Sequence, residues 1–244
     1  MVTQVKNHPT IQKILQALPT TAELFVVGGS VRDALLNRPT TDLDLVVRNL
    51  PIDELRAALQ SIGTVDEKGA RWGVLTLTIG DEAVDIALPR SEQTDANGAY
   101  HDTQAVPDPE LPMETDLQRR DFTINAMAVN TRTGELVDPF HGQVDTNQKT
   151  LRTVGNPEVR FAEDHTRILR CLRFATQLGF AIEPITWEGL RTVVRQAGQL
   201  RIPKRIWEQE FAKAQDDLPT LHEWLRKAGI EPVHAFTQHH YDKK

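Results

Sequence analysis

Apolar residues at 11, 14, 15 and 18 recur at the spacing of one helix face, so Ile11 to Leu18 is predicted helical. Leu24 to Val27 is a short apolar run that stops at Gly28-Gly29, the pattern of a buried strand meeting a tight turn. A short helix, Val31 to Leu36, leaves that turn, and Leu43 to Val47 reads as a second strand. Gly73 to Ile79 and Ala83 to Leu88 are two further strands. From Arg90 to Pro112 the chain is polar and punctuated by Gly98, Pro107, Pro109 and Pro112, which predicts a long loop. Beyond Phe122 to Val129 the period changes to that of helices over Val159 to Leu178, Ile185 to Ala197, Lys204 to Ala214 and Leu218 to Ala228. Gly179 is placed as a C-cap glycine and Pro203 as a proline in the first helical position. Strand, turn, helix and strands followed by helices alone describe a mixed front half and a helical back half.

The composition, with 39% apolar and 25% charged residues over 244 positions, is enough to build real cores in one large or two small domains. A single cysteine, Cys171, excludes an intramolecular disulfide framework, so a cytoplasmic setting is expected, and Cys171 itself is expected to be core packing. No run approaches the roughly 18 apolar residues that span a bilayer, so no membrane partner is expected. The net charge of −6 argues at first against a polyanionic partner, but it is unevenly spread. Residues 1–116 hold 9 basic and 18 acidic side chains, whereas residues 151–205 hold 10 basic and 5 acidic. An acidic front suits cations and a basic middle suits polyanions, although both are also what solvated surfaces look like.

Asp42-Leu43-Asp44 carries the first candidate chemistry, because residues two apart in a strand project from the same face. Two converging carboxylates repel unless a cation neutralises them, and hard divalent ions such as Mg²⁺ take carboxylate oxygens. Asp85 completes the group if its strand pairs alongside; a solvated strand edge is the plainer alternative. Just upstream, Gly28-Gly29-Ser30-Val31-Arg32-Asp33 offers backbone that can approach phosphate closely and an arginine to hold its oxygens. Glu163, Asp164, Arg167, Arg170 and Arg173 fall on i, i+3 and i+4 spacings along one predicted helix face. Such a row is usually a salt-bridged surface; held in a cleft, Asp164 and Arg167 would present acceptor and donor edges like those of a pairing base. His165, beside them, is expected to be a satisfied surface histidine.

At this point the chain resembles the class II tRNA nucleotidyltransferases and poly(A) polymerases of the DNA polymerase β superfamily. The resemblance rests on GGSVRD at 28–33 with DLD at 42–44, RRDFTINAMA at 119–128 and DPFHG at 138–142. It continues through GNPEVRFAEDHTRILRCLRFA at 155–175 and RIPKRIWEQEF at 201–211. It implies an α+β fold: a nucleotidyltransferase head with a small mixed β-sheet flanked by helices over residues 1–140, then an all-helical neck over residues 141–244. It also implies that Asp42 and Asp44 hold two Mg²⁺ ions with Asp85 as the third carboxylate. Gly28, Gly29 and Arg32 would face the triphosphate, and Arg120, Asp121 and Asn125 would shape the ribose side. Asp164 and Arg167 would read CTP or ATP, supported by Glu163, Arg170 and Arg173.

The implied reaction joins a nucleotide from CTP or ATP to the 3′ end of tRNA or another RNA and releases pyrophosphate. Most members of the family continue into body and tail domains that hold the tRNA, so a protein partner supplying that grip is a further expectation. Three functions stay open on the residues: CCA addition, preferred here; poly(A) or partial CC-only or A-only addition; and nucleotide or RNA binding without turnover.

Overall fold

The computed structural model describes residues 8–39, 43–94 and 103–231, so Asp42 and part of the predicted 90–112 loop lie outside the described residues. The chain divides into two compact units, residues 1–93 with 104–148, and residues 94–103 with 149–244.

In the first unit, helix α1 (Pro9–Ala17) precedes strand β1 (Glu23–Val27), helix α2 (Gly29–Leu35) and strand β2 (Asp44–Arg48). Helix α3 (Ile52–Gln60) leads to the strands β3 (Thr64–Asp66), β4 (Val74–Ile79) and β5 (Glu82–Ala87). Then come β6 (Arg90–Thr94), β7 (Thr103–Pro107), helix α4 (Met113–Gln118), β8 (Ala128–Asn130), β9 (Leu136–Val137) and helix α5 (Gly142–Asn147). Among the described residues, seven strands form one sheet in the order β3-β4-β5-β2-β1-β8-β9. Only β2 and β5 run parallel in it; every other neighbouring pair is antiparallel. The small mixed sheet flanked by helices is therefore present.

Side-chain alternation gives the sheet two different faces. Leu24, Val26, Leu45, Leu75, Leu77 and Ile86 point into a core that also takes Ile11 and Ile14 of α1 and Leu55 and Leu59 of α3. Asp44 and Asp85 lie on the other face and are exposed, whereas Phe25, Val27 and Val46 on that same face are buried. The segment expected to be a loop instead contains β6 and β7, which pair as a two-stranded sheet. Strand β6 (RSEQT) has no apolar residue, so it lacks the alternation by which a strand is read from sequence. Helix α3 and strand β3 add elements that the apolar pattern did not bring out.

The second unit holds β10 (Thr150–Leu151), helices α6 (Pro157–Glu163) and α7 (Thr166–Leu178), and β11 (Ala181–Ile182). Helices α8 (Pro184–Ala197), α9 (Lys204–Lys213) and α10 (Leu218–Ala228) complete it. It is not wholly helical, because β10 and β11 pair in parallel. The predicted helix Val159 to Leu178 is two helices: Asp164 is extended (φ −148, ψ 105) between α6 and α7. Phe161 and Ile168 are both buried and seven residues apart, so the apolar period runs through the break and conceals it. Gly179 ends α7 in the left-handed conformation, at φ 66, as a C-cap glycine does. Pro203, in contrast, is the extended residue before α9 rather than its first helical position.

Helix α7 is buried nearly all round, through Ile168, Leu169, Cys171, Leu172, Phe174 and Ala175. Trp187 of α8 and Trp224 of α10 meet edge to face at 5.5 Å. Arg173 of α7 pairs with Glu210 of α9, both buried, so two helices are joined by charge inside the unit. None of the described helices is long and apolar enough to cross a membrane.

Two stability predictions follow from these cores. Ile86→Ala removes a fully buried side chain from the sheet core and is expected to cost about 2–5 kcal/mol in denaturant unfolding. Glu210→Ala strands a buried guanidinium and is expected to cost about 3–5 kcal/mol by the same measurement; a loss below about 1 kcal/mol would show that the pair is solvated.

Candidate active site

The site in the first unit begins where β1 runs out. Gly28 takes φ 71 and ψ −131, a conformation suited to glycine, and its N–H donates to the Met127 carbonyl at 3.1 Å. A Cβ at position 28 would stand 2.9 Å from Arg120 Nη1 and 3.7 Å from Asp44 Oδ2. The bare backbone thus lies close to both a guanidinium and a carboxylate, and a side chain there would meet the Arg120 guanidinium.

Asp44 opens β2, and its register partner across the parallel pairing of β2 with β5 is Asp85. Partners across a ladder share a face, so the two carboxylates stand on the same exposed side of the sheet. Asp85 Oδ1 accepts a hydrogen bond of 2.6 Å from Thr76 Oγ1, from the residue paired with it on β4. The sequence expectation that β5 lies alongside β2 is met at this register. Among the described residues no group of three or more His, Cys, Asp or Glu side chains gathers as a metal site. Asp42, the remaining acid of the expected set, lies outside the described residues.

Arg32 is buried rather than reaching into solvent. Its Nη1 donates to Asn125 Oδ1 at 2.6 Å, and Nε and Nη2 donate to the Asp33 carboxylate at 2.9 Å. A Cβ on Gly29 would come within 3.4 Å of Arg32 Nη2, so the guanidinium lies directly against the glycine turn. Asn125 is the hinge of this network: its Nδ2 donates to Asp121 Oδ1 at 3.3 Å, which also accepts from the Phe122 N–H at 2.9 Å. Asp121, Asn125, Arg32 and Asp33 therefore form one chain of hydrogen bonds around the tight turn 122–126.

Arg120 Nη1 donates to the Asn125 carbonyl at 3.5 Å and Nη2 to Asp116 Oδ2 at 3.2 Å. Asp116, missed in the sequence reading, is fully buried and also pairs with Arg119 at 2.9 Å. Burial alone would raise its pKa, but the Arg119 and Arg120 guanidiniums outweigh that and hold the carboxyl below the usual range. Its i, i+3 and i+4 spacing to two arginines was the available sequence signal. Thr76 and Asp33 were missed as well; only the strand register reveals Thr76.

In the second unit the expected row of charges does not share one helix face, because the helix breaks inside it. Asp164, at the break, accepts from the Thr166 N–H at 2.8 Å and from Thr166 Oγ1 at 2.9 Å. Glu163 ends α6 and accepts from Arg167 Nη1 at 2.8 Å and from Arg160 Nη1 at 2.6 Å; Arg167 Nη1 also donates to the Arg160 carbonyl at 3.0 Å. Arg170 stands 5.4 Å from the Phe174 ring. Arg173 is turned away from Glu163 and buried: besides Glu210 it donates to Gln177 Oε1 at 2.7 Å, and it covers the Phe174 ring at 3.7 Å. Six residues along a helix amount to 240° of rotation at about 100° per residue, so Arg173 cannot follow Arg167 onto one face.

His165 is buried, not on the surface, and its Nδ1 accepts the Arg201 N–H at 2.9 Å. Burial pushes its pKa below the ordinary histidine value against the opposing pull of Asp164. It is a satisfied structural group at the joint between α6 and α7.

Residues 24–152 match the poly A polymerase head domain family. A CCA-adding enzyme of Streptococcus pneumoniae (strain CGSP14) is 39% identical over 203 residues, covering 83% of this chain and 48% of the relative. A CCA-adding enzyme of Enterococcus faecalis is 41% identical over 166 residues, 67% of this chain and 38% of the relative. The structure is similar to that of the Bacillus stearothermophilus CCA-adding enzyme in complex with CTP, with 30% identity and a TM-score of 0.70 over 88% of this chain and 52% of that one. It is also similar to the Thermotoga maritima CCA-adding enzyme complexed with tRNA, with 26% identity and a TM-score of 0.74 over 94% of this chain and 54% of that one. The chain spans about half the length of the relatives it matches. Since the matched span takes in the Gly28 turn, both paired aspartates and the Arg120 to Asn125 network, this chain belongs to the poly A polymerase head domain family.

Proposed function

We propose that the protein is a template-independent RNA nucleotidyltransferase that completes tRNA 3′ ends with C and A from CTP and ATP. The observation that carries this reading is the register of Asp44 against Asp85, which sets two carboxylates side by side on an exposed face next to the Gly28 turn. Two hard oxygen donors in that arrangement fit divalent cations such as Mg²⁺, with Asp42, two residues upstream of Asp44, as the further ligand. Bound Mg²⁺ would supply a lowered pKa for the RNA 3′-hydroxyl and charge neutralisation on the triphosphate.

The chain's own residues then do the positioning. Gly28 gives phosphate oxygens a close approach to backbone, and Arg120 beside it supplies positive charge where the polyphosphate would lie. Arg32, locked by Asn125 and Asp33, holds the turn rather than moving with the substrate. The RNA 3′-oxygen bonds to the α-phosphorus, the bond to the bridging oxygen breaks, and pyrophosphate leaves. In the second unit, read as the neck, Asp164 offers acceptors and Arg167 donors for a base edge, and Thr166 and Glu163 hold those side chains in fixed orientations. A base unable to pair with them would leave polar groups unsatisfied, which is how selection proceeds without a nucleic-acid template. A reducing cytoplasmic setting suits a chain whose single cysteine is buried. The similar structures in complex with CTP and with tRNA support the substrate classes.

The test uses purified protein, Mg²⁺, tRNA ending at its discriminator base, and CTP and ATP offered separately and together, with the ends sequenced. Two C residues and then A are expected; long A-tails would favour poly(A) synthesis, and no extension would contradict catalysis. Asp85→Asn is expected to lower incorporation about a hundredfold or more. The same variant relieves like-charge repulsion, so its thermal midpoint should stay equal or rise; undiminished incorporation would contradict the carboxylate's role.

A further inference from the structure

We infer that Asp116 is a positioning residue for nucleotide binding, acting by fixing the Arg120 guanidinium at the Gly28–Asp44 site. The inference rests on the reading of the first unit given under Proposed function. Neither the motifs nor the family likeness assigned Asp116 a role.

Helix α4 stops at Gln118, so Arg120 lies past its end and its side chain reaches back one turn to the helix. There Asp116 Oδ2 takes Arg120 Nη2 at 3.2 Å, while Oδ1 takes Arg119 Nε at 3.0 Å and the Arg90 backbone N–H at 3.1 Å. The other end of the Arg120 fork, Nη1, faces the Asn125 carbonyl and the bare side of Gly28. A guanidinium is rigid and planar, so anchoring Nη2 on a buried carboxylate fixes the direction of Nη1. Asp116 itself is sealed from solvent and can reach a nucleotide only through a neighbour.

The charges point the same way. Arg119 has a second carboxylate in Glu92, at 2.9 Å, so its orientation does not depend on Asp116 alone. Two adjacent guanidiniums keep Asp116 anionic well below neutral pH, so the anchor is not a pH switch. The Arg90 N–H starts β6, which means that the same carboxylate ties the beginning of that strand to α4. An asparagine would keep an oxygen for Arg90 but turn an NH₂ group toward Arg120, donor against donor.

The experiment is a double-mutant cycle on the full chain with Asp116→Asn, Arg120→Ala and both together, plus Asp116→Glu. Thermal midpoints, CTP and ATP affinity by calorimetry with Mg²⁺, and nucleotide KM against kcat are read for each. Asp116→Asn is expected to weaken CTP binding about tenfold or more, the scale of a hydrogen bond to a charged group. In the Arg120→Ala background the same change should leave affinity unaltered, and Asp116→Glu should recover part of it. Equal weakening with and without Arg120, or unchanged affinity in folded Asp116→Asn, would overturn the inference. If Asp116→Asn does not fold, Asp116→Ser, which also removes the carboxylate, takes its place in the cycle, with the same two outcomes deciding. A wild-type chain that binds neither CTP nor ATP would overturn the functional reading itself, whereas binding with an additive cycle overturns only the role of Asp116.

Discussion

The parallel pairing of β2 with β5 is the constraint on which the candidate site depends. Among the described residues it is the one parallel contact in an otherwise antiparallel sheet, and it brings together residues 41 positions apart, Asp44 and Asp85. Leu45 and Ile86, the next pair along, are buried in the core on the other face. A slip of one residue in either strand would drive a carboxylate into that core and an apolar side chain into water, so hydrophobic burial holds the register. Like charges set side by side are unfavourable by themselves; exposure and the hydroxyl of Thr76 make them tolerable. In the proposed function a bound cation would offset that cost.

Around that pair the chain builds a second layer of fixed charge from the 116–125 segment. Arg32 and Arg120 carry positive charge to either side of the glycine turn, and each is held by an acid and by Asn125, through its side chain for Arg32 and its carbonyl for Arg120. Preorganised donors of this kind do not have to be reoriented when an anion arrives, which is the main advantage of a protein site over water. The 3₁₀ turn over Thr123–Asn125 matters for the same reason: it places the Asn125 carbonyl and amide toward different partners.

Much of this was legible in the sequence, and the parts that were not share a cause. Strands β4 and β5 announce themselves by alternation, and the Gly28–Gly29 turn by the abrupt end of an apolar run. Asp44 and Asp85 could be named as partners, but only the ladder shows that they meet residue for residue. The break at Asp164 was hidden because Phe161 and Ile168 keep the helical period across it, while the evidence for the break, an aspartate capping Thr166, is a local hydrogen bond with a weak signal. Arg173 was grouped with Arg167 on spacing, yet its partner Glu210 is 37 residues away on another helix. The pairing of β10 with β11 is likewise non-local. Periodicity reports what one element buries and says little about which distant group satisfies a buried charge.

The most direct measurement is a Mn²⁺ titration of isotopically labelled protein followed by NMR, because this paramagnetic ion broadens signals near the place where it binds. Amides of Gly28, Gly29, Asp44 and Asp85 are expected to broaden first and together, with the effect lost in Asp85→Asn. Broadening that begins elsewhere, or that is scattered evenly over the acidic surface, would contradict a cation site formed by the paired strand carboxylates.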